Sequence, residues 1–166
     1  MSTPAGNADG SPVGGPVGST GTEYEMVIER GKIAEFAAAA QSQNPAYRGP
    51  DAIIAPTFLM SGALWAPEGA AVDVGFDRKR LLHGEQEFIF HGPPPRAGQV
   101  LKVSDKLVDR YSKPGKRGGQ MRFAVVVTEY RDSDGTLVAE AKKTLIETAP
   151  KTPRPAKDEP AKDGAA

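Results

Sequence analysis

The chain has 166 residues, of which 39% are hydrophobic, with 19 Gly, 15 Pro and no Cys. Its 21 Lys and Arg balance 21 Asp and Glu, so no global basic field draws it to nucleic acid or acidic lipid. The missing cysteines exclude disulfides, thiolate zinc sites and a cysteine nucleophile, and leave the redox compartment open. No apolar run approaches the roughly 18 residues of a membrane span, and no basic segment followed by an apolar one marks a secretory leader. A cytoplasmic protein is the expectation.

Residues 1–22 contain six Gly and three Pro, and this composition predicts a disordered tail. Residues 149–166, with four Pro and no Ile, Leu, Val or aromatic residue, predict a second one. Between them, residues 23–148 are long enough to bury about two thirds of their unfolded surface. A short opening strand is expected at 24–28. Ile33, Phe36, Ala37 and Ala40 then fall on one helical face, with Lys32 and Glu35 turned away. Pro45 should end that helix, since the residue before a proline is pushed out of the α region.

Residues 57–65 are apolar on nearly every face, which predicts a helix buried on all sides, Trp65 included. Pro56 suits its first position, where a missing N–H costs nothing. Residues 68–84 read as loop, with Arg78-Lys79-Arg80 as a basic cluster. From Glu85 the period becomes two: Phe88 and Phe90; a long run at 100–111 whose imperfect alternation predicts a bulge; Met121, Phe123, Val125 and Val127; then Leu137, Ala139, Ala141 and Leu145, interrupted by Lys143. The Asp134-Gly135 pair is a hairpin signal. Long sequential strands and short turns predict an α+β fold, an antiparallel sheet wrapped around one central apolar helix.

That order, together with five local strings, resembles the hot-dog fold of the MaoC-like dehydratases, in particular their N-terminal-domain type, the FAS1-like dehydratase domain. The strings are Ile33-Ala34-Glu35-Phe36-Ala37 with Asn44-Pro45-Ala46-Tyr47; Ala55-Pro56-Thr57-Phe58; Leu82-His83-Gly84-Glu85-Gln86-Glu87-Phe88; Gly98-Gln99-Val100-Leu101; and the run from Phe123 to Ile146. The resemblance implies dehydration of (3R)-hydroxyacyl thioesters, or hydration of enoyl thioesters, on CoA or acyl carrier protein, with no cofactor. Catalytic members of that family carry Asp-x-Asn-Pro-x-His after the first helix. The Asp and His move a proton and a water, while backbone N–H groups at a helix start hold the enolate oxygen.

Here Asn44 and Pro45 stand in their places, but Ser42 holds the Asp position and Tyr47 the His position. A serine hydroxyl is no base near neutral pH, and a tyrosine with a pKa of roughly 10 is a poor substitute for histidine. The chain is therefore similar to the dyad-less subunit of heterodimeric dehydratases. No catalytic residue is assigned. Ser42, Asn44 and Tyr47 are expected to line the substrate channel, and the helix start near Pro56, Thr57 and Phe58 to offer N–H groups to it. A MaoC-like partner would supply the dyad; self-association is the alternative, since an exposed sheet edge invites pairing.

Two rival readings stay open. One is a self-sufficient hydratase or thioesterase using His83, Glu85 or Asp51. The other is a non-enzymatic acyl-thioester binder. His83 and His91, with Glu85 and Glu87 between them, also outline an acid–base pair or metal site, but a loop histidine and a strand-end histidine are the preferred reading and no metal is assigned. Lys113, Lys116 and Arg117 sit on a Gly/Pro hairpin, where CoA phosphates or an acidic carrier are weighed against plain solvation. No glycine spacing of a nucleotide loop is present.

Overall fold

The computed structural model describes residues 14–116 and 119–150. Five strands build one antiparallel sheet: β1 (Tyr24–Val27), β2 (Leu81–Phe90), β3 (Val100–Pro114), β4 (Gln120–Arg131) and β5 (Leu137–Glu147). They lie in the order β1-β3-β4-β5-β2. Helix α1 (Arg30–Ala39) and a 3-10 helix, Phe58–Leu64, lie between β1 and β2 in the chain. Both pack on one face of the sheet, called here the inner face.

Helix α1 forms where the sequence predicts it. Ile33 and Ala37 are buried and Phe36 meets Phe58 edge-on at 5.5 Å. Lys32 bonds Glu35 at 2.7 Å on the other side. Ala40, expected on the buried face, is the exposed C-cap. The helix also stops earlier than Pro45 requires. Gln41 takes a left-handed φ of 53°; its N–H bonds Ala38 O and the Ser42 N–H bonds Ala37 O. This is a Schellman turn.

Two expectations are corrected. Residues 14–22, assigned by composition to a tail, run beside β3: the Gly18 N–H donates to Leu107 O, the Leu107 N–H to Ser19 O, and the Gly21 N–H to Asp105 O. Small residues suit this strap, because a Cβ on Gly21 would stand 1.9 Å from Ala70 O. Residues 1–13 and 151–166 lie outside the described residues. The second correction concerns residues 57–65, which form no buried α-helix. Phe58, Leu59 and Gly62 face the sheet, but Leu64 is 81% and Trp65 46% exposed. The 3-10 helix lies on the sheet as an outer layer, and no other element of the described chain covers its far side. Close approach needs Gly62, where a Cβ would come within 2.9 Å of Met26 Sδ.

The sheet keeps most of its predicted pattern. β3 carries its bulge between Leu107 and Asp109. β2 starts at Leu81, inside the stretch read as loop. On β4 the alternating set Phe123, Val125 and Val127 belongs to neither core cluster. Ala124, Val126 and Tyr130 face the core instead, while Phe123 stacks on Tyr111 at 4.7 Å. The inner face holds two hydrophobic clusters, one around Ile33, Phe58, Leu101, Val103 and Tyr130, the other around Phe76, Leu107, Ala124 and Val126. Burying a side chain such as Phe58 is worth about 1.5–3 kcal/mol.

Candidate functional site

The Schellman turn leads directly into the Asn-Pro segment. Asn44 Oδ1 accepts the Ala46 N–H at 3.0 Å and so caps the short 3-10 turn Pro45–Tyr47, while the Asn44 N–H donates to Ser42 Oγ at 3.3 Å. Ser42 and Asn44 are thus joined within the turn. The Tyr47 ring is half-buried against the first core cluster and borders a groove of about 380 Å3 with Arg30, Ala34, Arg48 and Pro50. Gln41, just before this segment, is the one non-glycine residue with positive φ among the described residues. Backbone of this kind persists where the surroundings hold it in place.

Pro56 and Thr57 are exposed and Phe58 is fully buried. The Phe58 N–H donates to Ala55 O at 2.9 Å and the Met60 N–H to Thr57 O at 3.2 Å, so these two donors are engaged in the chain's own turns. The Phe58 ring borders a cavity of about 190 Å3 with Tyr24, Met26, Lys32 and Trp65. Tyr47 and Phe58 thus both pack on the first hydrophobic cluster, Tyr47 beside the 380 Å3 groove and Phe58 beside the 190 Å3 cavity.

The inner face holds a further group that the sequence reading did not single out. The two core clusters are separated by a polar belt. Asp105 and Thr128 stand opposite each other on β3 and β4, and Lys143 stands opposite Val126 and Gln86 on β5's two neighbours. Thr128 Oγ1 donates to Asp105 Oδ1 at 2.5 Å, and Lys143 Nζ bonds Asp105 Oδ2 at 3.1 Å. Asp105 and Thr128 are each only 8% exposed. Burying these groups is costly unless they are paired, and the pairing here is charge-assisted. Sequence signals existed: Lys143 breaks the apolar period of β5, and Asp105 lies in the irregular alternation of β3.

The belt floors a cavity of about 130 Å3 whose opposite wall is formed by Leu59, Met60, Ala63 and Ala66. Two phenols clip that wall to the sheet: Tyr130 OH donates to Leu59 O at 3.1 Å and Tyr24 OH to Gly62 O at 3.5 Å. Burial pushes both phenol pKa values up. Tyr24 adds to the effect on Tyr130, and Asp105 acts on both. Both phenols therefore remain neutral donors.

The remaining candidates lie elsewhere. His83 and His91 are eight positions apart, which at strand rise is roughly 25 Å, so they cannot act on one atom. His91 Nε2 lies 2.7 Å from Glu140 Oε2. Glu85 accepts a long bond from Thr144 Oγ1 at 3.4 Å, and Glu87 lies 3.9 Å from Lys142. The Asp51 carbonyl accepts from Arg96. Among the described residues no group of three His, Cys, Asp or Glu converges as metal ligands would. Lys113 lies over the Tyr111 and Phe123 rings at 5.0 and 5.5 Å; Lys116 is exposed, and Arg117 lies outside the described residues.

The model of the FAS1-like dehydratase domain region matches residues 16–141. The chain belongs to that family. One relative of this chain is a UPF0336 protein of Saccharopolyspora erythraea, 32% identical over 130 residues, 72% of this chain and 80% of that protein. The 3-hydroxyacyl-thioester dehydratase Y of Mycobacterium tuberculosis is 37% identical over 103 residues, which span 59% of this chain and 32% of that protein. The fold is shared with solved dehydratases. The HadBC (3R-hydroxyacyl-ACP dehydratase) complex of Mycobacterium tuberculosis matches with a TM-score of 0.61 and 23% identity over 78% of this chain and 96% of that one. The R-hydratase PhaJ1 of Pseudomonas aeruginosa matches with a TM-score of 0.59 and 19% identity, covering 84% of this chain and 88% of that chain. The hot-dog fold read from the sequence is therefore the fold of this FAS1-like dehydratase domain. The family match begins at residue 16, inside the strap that composition had assigned to a tail.

Proposed function

We propose that this chain is a subunit of a (3R)-hydroxyacyl-thioester dehydratase, or of the enoyl-thioester hydratase working in reverse. In this reading it holds the acyl chain, and a MaoC-like partner supplies the Asp and His. One observation supports the reading: the Asn44-Pro45 turn is capped by the Asn44 side chain, while the positions flanking it hold Ser42 and Tyr47. In this reading the segment is the family's catalytic turn without its acid–base pair. The partner's dyad would take the proton from the carbon next to the thioester carbonyl and give a proton to the hydroxyl on carbon 3, so that water leaves as the double bond between these carbons forms. Ser42, Asn44 and Tyr47 would line the channel beside it.

Two further features support the partnership. β2 is a ten-residue edge strand whose Leu82 and Ile89 are 53% and 37% exposed. Its row of unpaired backbone groups is a template for a second sheet. The uncovered flank of the 3-10 helix, with Met60, Leu64 and Trp65 exposed, offers apolar surface besides.

Hydration of crotonyl-CoA by the purified chain, alone and with a MaoC-like protein encoded beside it, tests the proposal. Activity is expected only in the mixture. Turnover by the chain alone that His83→Ala abolishes would overturn it in favour of a self-sufficient enzyme. Acyl-CoA binding without turnover in either case would favour a binding protein.

A further inference from the structure

β2 stands at one end of the sheet and pairs with β5 alone, so its other side is free among the described residues. Its side chains alternate. Phe88 and Phe90 pack on the first core cluster, which puts Glu85, Glu87 and Ile89 on the outer face, all three exposed. Two carboxylates thus sit two positions apart along the free rim. Their neighbours on β5 do little to neutralise them. Glu85 stands opposite Thr144, whose hydroxyl bonds it at 3.4 Å, and no cation among the described residues pairs with it. Glu87 stands opposite Lys142 at 3.9 Å, a loose pair between half-exposed side chains. Lys142 lies on the side of Glu87 away from the rim.

A second copy of this chain would bring β2 against β2 about a two-fold axis. In the antiparallel ladder each residue then meets the one equally far beyond the centre, and outer residues meet outer ones only when the centre falls on a residue. A centre at Glu85 sets Glu85 against Glu85. A centre at Gln86 sets Glu85 against Glu87 twice over, and one at Glu87 sets Glu87 against Glu87. A centre at Gly84 lays the bulges of the two strands, between His83 and Glu85, against each other. Centres farther out pair no more than half of the strand. Every long ladder therefore meets facing carboxylates or a double bulge. Like charges directly opposite each other oppose pairing, whereas Lys or Arg in the same place favours it. Repulsion of this kind lets an interface refuse one partner and keep another.

We infer that Glu85 and Glu87 bar β2 from pairing with itself and reserve it for a different chain, whose edge strand carries Lys or Arg two positions apart on the matching face. The inference rests on the partnership proposed above and states the chemistry of the partner's edge.

Sedimentation velocity tests it on the full chain as three proteins: the wild type, the double variant Glu85→Gln/Glu87→Gln and the double variant Glu85→Lys/Glu87→Lys. The Gln variant should self-associate about tenfold more tightly than the wild type, because facing like charges are relieved. The wild type and the Lys variant each repel themselves, and when mixed they should form a one-to-one dimer more tightly than either does alone. Raising NaCl from about 50 to about 500 mM should strengthen self-association of the wild type, a readout that needs no variant, and weaken the mixed dimer. Equal self-association of wild type and Gln variant, a mixture that pairs no better than its components, or a wild type that salt does not drive together overturns the inference. Crotonyl-CoA hydration by the wild type with the MaoC-like protein, assayed beside it, separates the two readings. Activity there without a charge effect on pairing overturns the edge and leaves the subunit role standing. A charge effect without activity overturns the subunit role and leaves the selectivity of the edge.

Discussion

Two polar clusters lie on the inner face of the same sheet, and they are finished to different degrees. Near the start of β2, Glu147 is 1% exposed and fully engaged. It accepts from Arg80, from the Asp77 N–H at 2.8 Å and from Arg122, which also lies against the Phe76 ring at 5.0 Å. Every lone pair that points inward has a donor. Near the middle, the belt of Asp105, Thr128, Lys143 and Gln86 borders a cavity and leaves Gln86 Oε1 buried without a partner among the described residues. A closed network fixes the positions of strands, and one with a polar atom left over is held less tightly.

The sharpest break in the comparison comes from Glu147→Gln. It removes the buried counter-charge of the part-buried Arg122 and leaves Arg80 with Asp77 as its carboxylate, and should cost about 3 kcal/mol in urea unfolding. Thr128→Val strips one donor from Asp105 and should cost about 1–3 kcal/mol. Tyr130→Phe frees the Leu59 carbonyl, with an expected loss of about 1 kcal/mol at neutral pH. Its pH dependence is the better readout. The folded phenol titrates above its unfolded value, so its contribution is complete below pH about 10 and fades as pH rises beyond that. The wild type should lose stability on alkaline titration more steeply than Tyr130→Phe. The smallest effect belongs to Gln86→Met, about 0.5–1 kcal/mol, because it removes only the long bonds from the amide to the Lys142 and Glu87 carbonyls. A large destabilisation there would place Gln86 with the closed cluster instead.

Much of the fold was legible because strand periodicity and turn chemistry are local. The bulge of β3, the Asp-Gly hairpin and the face of α1 all follow from neighbours in the sequence. Residues 57–65 were misread for a related reason: an all-apolar run says that a segment is buried, but not whether its own chain does the burying. Met60, Leu64 and Trp65 are apolar toward a side that no described element of this chain fills. The strap at 14–22 was missed because Gly and Ser lack the apolar content that marks packed segments, although their small size is what lets them lie against residues 69–75. Of the candidate site, the Asn44 turn could be read from its motif. The polar belt could not, since it joins residues from four strands and exists only once the register is set. Lys143 and Asp105 were visible as irregularities, but their partnership was not.

The strap has one more consequence. By bonding to β3 at residues 105 and 107, it seals a stretch of that flank which the four-residue β1 leaves uncovered. The long free rim is then β2, on the opposite side. Two such sheets joined through this rim would carry only the short β1 and the strap at their outer ends.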